Sequence, residues 1–328
     1  MVAEIRPGAD DLHLVGPAPV PAQASRPASS DSRVPGHRRS RTEVKLSILM
    51  AAYNEAETIT QAISEVLEIS YPCEIELIVV DDGSSDATPS LLEDVEDHRV
   101  KLLRHQVNRG KGAALLTAAE VATGTHILPF DADLEYLPED ILKLLEPVMR
   151  GRCNVVYGVR LFGYYTVYAS YLYAVGNRVF TRIANILFGA YLSDLHTCLK
   201  LIPLDVLRSL QLREDGFGLD TEVSAALLRG GIRPFEVPVS YFSRSHEQGK
   251  KINWRDAVAC LLILLRVRAQ PRSRFADARV FAGIERHRRP RPEPVAEEPW
   301  EDEPPTGEPG TVLRLNESAG ELGVGAPG

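Results

Sequence analysis

Cysteine is scarce in this 328-residue chain: Cys73, Cys153, Cys198 and Cys260 are the only four, and none forms a C-x-x-C pair. That excludes a disulfide scaffold and removes the usual zinc spacings, so the thiols read as buried and reduced, as in a cytosolic protein. No apolar run reaches the ~18 to 20 residues of a membrane span. The Pro-rich, charged N-terminus lacks an apolar h-region, so no signal peptide is expected. No internal repeat occurs. G-x-x-x-x-G-K-[ST] is missing, so Asn108-Arg109-Gly110-Lys111-Gly112 is no P-loop. No G-x-G-x-x-G follows the first strand, which argues against a nicotinamide fold.

What is present is ordinary in bulk and uneven in detail. The chain is 44% hydrophobic and 25% charged, as soluble globular proteins are. Its net charge of −8 divides into +1 for residues 1–44, −10 for 45–243, +9 for 244–291 and −8 for 292–328. The two ends lack an apolar period, so 1–44 and 272–328 read as disordered tails, the second basic and then acidic. Residues 45–271 read as one domain. The basic segment has no aromatic stacking array, so no nucleic-acid partner is expected.

Within 45–271 the pattern alternates. Apolar runs at Leu46–Ala52, Ile75–Val80, Val100–Leu103, His126–Phe130 and Asn154–Tyr157 predict strands. Helical spacing separates them at Ala56–Ile69, Ala87–Val95, Lys111–Val121 and Pro138–Met149. Continuous apolar strands between helices predict an α/β fold, a Rossmann-like, mostly parallel sheet with helices on both faces. Ligands of such sheets bind at the carboxyl ends of the strands. Polar segments that suit no core stand there: Tyr53-Asn54-Glu55, Asp81-Asp82-Gly83-Ser84 with Asp86 and Thr88, Asn108–Gly112, and Asp131-Ala132-Asp133-Leu134-Glu135. Asp86 also reads as a helix cap and Gly83 as a turn residue. Asp131 and Asp133 point the same way at a strand end. Two such carboxylates repel, and a hard divalent cation relieves that repulsion while sharing a ligand's phosphates. Ala132 leaves room for a ligand, and Glu135 is placed to complete the set.

Together these motifs resemble the family 2 glycosyltransferases of GT-A fold. Ser193–Lys200, Gly216–Glu222, Glu236–Tyr241, Arg244 and Gly249–Ile252 are similar to the branch that makes dolichyl- or polyprenyl-phosphate sugars, the dolichol-phosphate mannosyltransferase-like enzymes. Departures occur where Ala52 replaces a common Pro, where Glu135 replaces a common Gln, and in His196–Lys200. The resemblance implies that Ala52, Tyr53, Glu55, Asp82, Gly83, Ser84, Lys111, Asp131 and Ala132 surround the nucleotide sugar. It implies Mg²⁺ or Mn²⁺ held by Asp131, Asp133 and Glu135, with Asp133, Asp220 and Arg244 catalytic. GDP-mannose is the expected donor, with a UDP-sugar the alternative, and polyprenyl phosphate the acceptor.

A lipid monophosphate with a second pKa near 6 is already nucleophilic at neutral pH, so cations that bring two phosphates together matter more than a strong base. Arg160, the i and i+4 pair Arg178 and Arg182, Lys250 and Lys251 are candidates, Arg178 and Arg182 reading equally as a solvated helix face. Asp220 reads as an acceptor-orienting group and equally as a helix cap. Residues 161–192 hold only Arg178 and Arg182 as charges and carry Tyr164, Tyr165, Tyr168, Tyr171 and Tyr173. With the amphipathic 253–268 and the arginines at and after its end, Arg266, Arg268, Arg272 and Arg274, they suggest interfacial helices on a membrane surface, or a buried helix pair. The expected location is cytoplasmic, peripheral to the membrane's cytoplasmic face. Two other readings stand beside this one: the same fold with a soluble or cell-wall hydroxyl acceptor, and a non-catalytic, membrane-docked nucleotide-sugar binder or scaffold.

Overall fold

In the computed structural model, residues 12–15, 44–160, 165–167, 171–243 and 254–283 are described. The elements follow the chain as β1 (Leu12–Val15), β2 (Lys45–Ala52), α1 (Ile59–Glu68), β3 (Glu74–Asp81), α2 (Thr88–Glu93), β4 (Val100–His105), α3 (Lys111–Val121) and β5 (His126–Pro129). Next come α4 (Asp140–Met149), β6 (Val156–Val159), β7 (Thr166–Val167), α5 (Tyr171–Phe188), β8 (Lys200–Pro203), α6 (Leu204–Ser209) and α7 (Leu219–Gly230). The remainder is β9 (Phe235–Pro238), β10 (Tyr241–Phe242), α8 (Trp254–Ala269), a 3-10 turn at Arg272–Phe275 and α9 (Ala276–Phe281).

The main sheet has the order β1-β4-β3-β2-β5-β8-β6-β9, and β10 pairs with β7 beside it. Strands β4, β3, β2 and β5 are mutually parallel, as are β6 and β9. This is the mostly parallel sheet that the residue pattern predicts, as the GT-A fold implied by the resemblance requires. Period-2 geometry divides each strand between two core layers. Ile75, Leu77 and Val79 of β3 pack with Leu46, Ile48 and Met50 of β2 and with Ile63 and Val66 of α1. Ile78 and Val80 face the other layer, with Leu49, Ala114 and Ala118. Helix α3 is buried nearly all round because its residues are small.

Elements also lie outside the expected 45–271 bounds. β1 lies inside the expected N-terminal tail and pairs antiparallel with β4, from Leu12 opposite His105 to Val15 opposite Leu102; Leu12, Leu14 and Val15 are too short a run to stand out. Helix α9 follows position 271. Phe275, Ala278 and Ala282 are buried, at 1%, 0% and 8% exposure, so the fold continues through α9 behind a surface of arginines. The sheet order is set by tertiary structure. β8 inserts between β5 and β6, antiparallel to both, and no local pattern encodes which strand lies beside which.

The antiparallel course of β8 brings its first residue, Lys200, opposite Tyr157, at the edge where β5 ends. At that edge α3 begins tightly. Gly110 has φ +101°, and a Cβ there would lie 2.5 Å from the carbonyl oxygen of Asp215. Ala113 N–H donates to the same oxygen at 2.8 Å. Gly110→Ala is therefore expected to lower stability by about 1–3 kcal/mol, read as a lower urea midpoint.

At the opposite edge His126 is a second test. Burial lowers its pKa to about 4, below its unfolded value of about 6.5. The unfolded chain therefore binds the extra proton between those values, and stability falls as pH drops through 6.5 toward 4. Urea titrations across that window are expected to show a shallower loss in His126→Leu than in the wild type.

Candidate functional site

Two loops at the ends of β2 and β3 are joined by short hydrogen bonds. Asn54, at φ +54°, donates its N–H to Ser84 Oγ at 3.0 Å and accepts from Ser85 N–H at 2.9 Å. Glu55 N–H donates to Thr88 Oγ1 at 3.0 Å and Ala56 N–H to Asp86 Oδ2 at 3.2 Å. These bonds hold Tyr53, 36% exposed, at the rim. Ala52 and Ala132 are buried beneath the loops. Gly83 has φ +72°, and a Cβ there would meet the Val107 backbone at 2.6 Å.

Asp82 is 2% exposed, and its carboxylate is engaged within the protein. Oδ1 meets His105 Nδ1 at 2.6 Å and accepts from Arg109 N–H at 2.9 Å, while Oδ2 accepts from Gly110 N–H at 2.7 Å. His105 Nε2 lies 3.0 Å from Thr117 Oγ1. Asp82 thus fastens the Asn108–Gly110 turn that carries Lys111.

The centre of the edge is a chain of alternating charges. Lys111 Nζ lies 2.6 Å from Oδ1 and 2.9 Å from Oδ2 of Asp131. Lys200, 1% exposed, donates to Asp220 Oδ1 at 2.6 Å and to the Thr197 carbonyl, with its ammonium 5.4 Å from the Tyr157 ring centre. Burial opposes the charge on Lys111, but the Asp131 carboxylate prevails and raises its pKa. Burial likewise opposes the charge on Asp220, and the ammoniums of Lys200 and Lys111 hold that carboxyl below its usual value. Lys111 is therefore held as a cation and Asp220 as an anion at neutral pH.

A second group adjoins the first. Arg160 grips Asp194 through Nε at 2.6 Å and Nη2 at 2.8 Å, and Asn177 donates to the same carboxylate at 2.8 Å. His196 meets Asn177 Oδ1 and Thr221 Oγ1, each at 3.0 Å. Burial lowers the His196 pKa to about 4, so it bridges these groups as a neutral ring. Arg160 also lies 4.9 Å from the centre of the Tyr241 ring, whose hydroxyl donates to Glu135 Oε2 at 2.6 Å.

The sequence-predicted residues divide accordingly. Asp131, Lys111 and Asp220 are brought together. Arg160 is also at this edge, but Asp194 balances its charge. Glu135 is drawn to Tyr241, and its N–H donates to Asp133 Oδ1 at 3.1 Å. Among the described residues no three His, Cys, Asp or Glu side chains are already grouped as a metal site. Arg178 and Arg182 share an exposed face of α5. Arg244, Lys250 and Lys251 lie outside the described residues, as do Tyr164 and Tyr168. Arg266 pairs with Glu214 and Glu222, each at 2.8 Å. Sequence reasoning assigned no role to Lys200, Asp194, Asn177, His196 or His105. The available signals were the Ser193–Lys200 motif, which holds Asp194, His196 and Lys200, and a lysine in the otherwise apolar run Cys198–Pro203.

Among the described residues no helix is long and apolar enough to cross a membrane. On α8, Ile263, Leu264 and Val267 are buried, while Val258, Leu261, Leu262 and Leu265 are between 37% and 60% exposed.

Curated relatives share this arrangement of sequence. The chain is 31% identical to the glycosyltransferase AglJ of Haloferax volcanii over 198 residues, 60% of this chain and 63% of that protein. Against AglD of the same organism it is 28% identical over 207 residues, 60% of this chain and 33% of that protein. The chain thus spans less than two thirds of the length of both relatives. A UDP-N-acetylglucosamine–dolichyl-phosphate N-acetylglucosaminyltransferase of Methanococcus voltae is 25% identical over 226 residues, 63% of this chain and 89% of that protein. Glucosyl-3-phosphoglycerate synthase of Mycobacterium tuberculosis superposes with a TM-score of 0.55 at 16% identity, over 70% of this chain and 82% of that one, and so shares the fold. The glycosyl transferase family 2 sequence model matches residues 47–210, from the first buried strand to the end of α6, and by that match the chain belongs to glycosyl transferase family 2.

Proposed function

We propose that this chain is an inverting hexosyltransferase that moves a sugar from a nucleotide sugar to polyprenyl phosphate. The observation that carries the reading is the charge chain Asp131–Lys111–Asp220–Lys200 at the carboxyl edge, where the family binds its donor. Support for the acceptor comes from the apolar face of α8, which suits a lipid surface, and from the dolichyl-phosphate substrate named for the Methanococcus relative. In this reading the protein works peripherally on a cytoplasmic membrane face. The motif resemblance favours GDP-mannose as donor. The same relative, and neighbours solved with UDP-glucose, favour a UDP-sugar as the second reading.

Asp131 and Asp133 fit a divalent cation, Mg²⁺ or Mn²⁺. They are hard oxygen donors two residues apart at a strand end, and both Asp131 oxygens already face a cation. Glycosyltransferase neighbours were solved with Mn²⁺ and UDP. Such an ion would supply Lewis-acid stabilisation of the departing nucleoside diphosphate. Tyr53, Glu55, Gly83 and Ser84 form the nucleotide side of the cleft. Asp220, fixed as an anion by Lys200, orients the acceptor phosphate, which needs no strong base. Exposed Arg178 and Arg182 would offset phosphate repulsion, and Arg244, Lys250 and Lys251 are proposed to join them.

The test is sugar transfer from radiolabelled GDP-mannose, UDP-glucose and UDP-N-acetylglucosamine, each with polyprenyl phosphate in vesicles and Mg²⁺ or Mn²⁺. The expected result is label in the organic phase that depends on the lipid phosphate. Transfer to a soluble acceptor without any lipid phosphate would overturn the acceptor. That outcome would instead match the neighbour solved with phosphoglyceric acid.

A further inference from the structure

We infer that Lys111 competes with the divalent cation for Asp131, so that cation and nucleoside diphosphate bind this chain together rather than the cation first. The inference rests on the proposed metal role of Asp131. One ammonium approaches both oxygens of that carboxylate, at 2.6 and 2.9 Å, and the pair is largely shielded, with side chains 21% and 19% exposed. A second, doubly charged cation on the same carboxylate would face Lys111 at short range in a poorly screened setting, where like charges repel strongly. Cation binding therefore requires Lys111 to move.

Its alternatives are limited. Asp220 contributes to its charge balance, but Asp220 Oδ1 already accepts from Lys200 at 2.6 Å. Cys198 Sγ, 4.0 Å away, is held as a neutral thiol by burial. Lys111 is also the first residue of α3, and Gly110 and Gly112 hold its backbone against Glu214 and Asp215. The side chain can swing, while its anchor cannot. A diphosphate arriving at the amino end of α3 supplies the missing anion, because helix N-termini favour negative charge. It also brings oxygen ligands for the cation. Each partner then strengthens the other by the same factor, as linkage requires.

The test measures Mn²⁺ binding, from the electron paramagnetic resonance signal of free Mn²⁺, with and without UDP or GDP. The proteins are wild type, Lys111→Met, Lys111→Gln, Lys111→Arg and Asp131→Asn. Lys111→Gln keeps a hydrogen bond to Asp131 without the charge and serves if Lys111→Met does not fold. The expected result is that Mn²⁺ alone binds either neutral variant at least about tenfold more tightly than wild type. Lys111→Arg stays as weak as wild type, and Asp131→Asn loses binding in every condition. If the neutral variants bind Mn²⁺ no more tightly than wild type while Asp131→Asn loses it, competition is overturned and the metal role of Asp131 survives. If wild type and Asp131→Asn bind Mn²⁺ equally with nucleotide present, the metal role of Asp131 falls, and the competition with it.

Discussion

Arg160→Met is expected to lower the folding free energy by about 3–5 kcal/mol, because removing one partner of a buried ion pair leaves the other uncompensated. Asp194 is 2% exposed, and Arg160 donates to it twice, at 2.6 and 2.8 Å. Burial opposes ionisation of Asp194, yet the guanidinium holds the carboxyl well below the usual carboxylate range. The sign of the pH dependence follows. A carboxyl whose folded pKa is depressed contributes stability above its unfolded value of about 3.9 and loses that contribution as pH falls toward the folded value. The gap between wild type and Arg160→Met is therefore full near pH 7 and narrows below pH ~4. Guanidinium titrations at several pH values check this. A double replacement, Arg160→Met with Asp194→Leu, is expected to recover much of the loss, since no lone charge remains. A single loss that stays constant with pH would show that packing, rather than charge, dominates.

The second large effect is on catalysis. Asp133→Ala is expected to reduce sugar transfer about 10³-fold or more. A Lewis-acid ion supplies several kcal/mol to the transition state, and each ~1.4 kcal/mol is a factor of ten in rate. Glu135→Gln is the instructive companion. Glu135 accepts the Tyr241 hydroxyl at 2.6 Å, an interaction that glutamine preserves, so transfer is expected to remain near wild type. Comparing kcat/KM for the two variants across a Mn²⁺ titration separates the roles. A Glu135→Gln loss equal to that of Asp133→Ala would restore Glu135 to the metal set. Unchanged transfer in Asp133→Ala would remove Asp133 from it.

The parallel half of the fold was legible because its signal is local. Leu46–Ala52 and Ile75–Val80 are apolar runs interrupted only by Ser47 and Glu76, and buried parallel strands read as near-continuous runs of this kind. The loops after them were legible for the same reason, since Asp81–Ser84 and Asp131–Asp133 stand where a core residue would otherwise continue. Lys200 was harder to read. A lysine among Cys198, Leu199, Leu201 and Ile202 looks like a surface position on an amphipathic strand, yet it is 1% exposed. Its burial depends on Asp220, twenty residues further on, and on the ring of Tyr157. Asp82 carries a second role that its motif does not signal: its carboxylate also meets His105 and the backbone of the Asn108–Gly110 turn.

By itself, the sequence determined the layered α/β fold, the edge at which the loops gather, and the residue types that suit a diphosphate and its cation. Those depend on periodicity and on composition within a few residues. Only the tertiary structure decided which charges neutralise one another. Arg160 is balanced by Asp194, Lys111 by Asp131, Lys200 by Asp220, and Arg266 by Glu214 and Glu222. Such pairing depends on separations of a few ångströms between residues 20 to 52 positions apart in the chain. The antiparallel entry of β8 creates part of it, by bringing Lys200 to the edge where β5 ends.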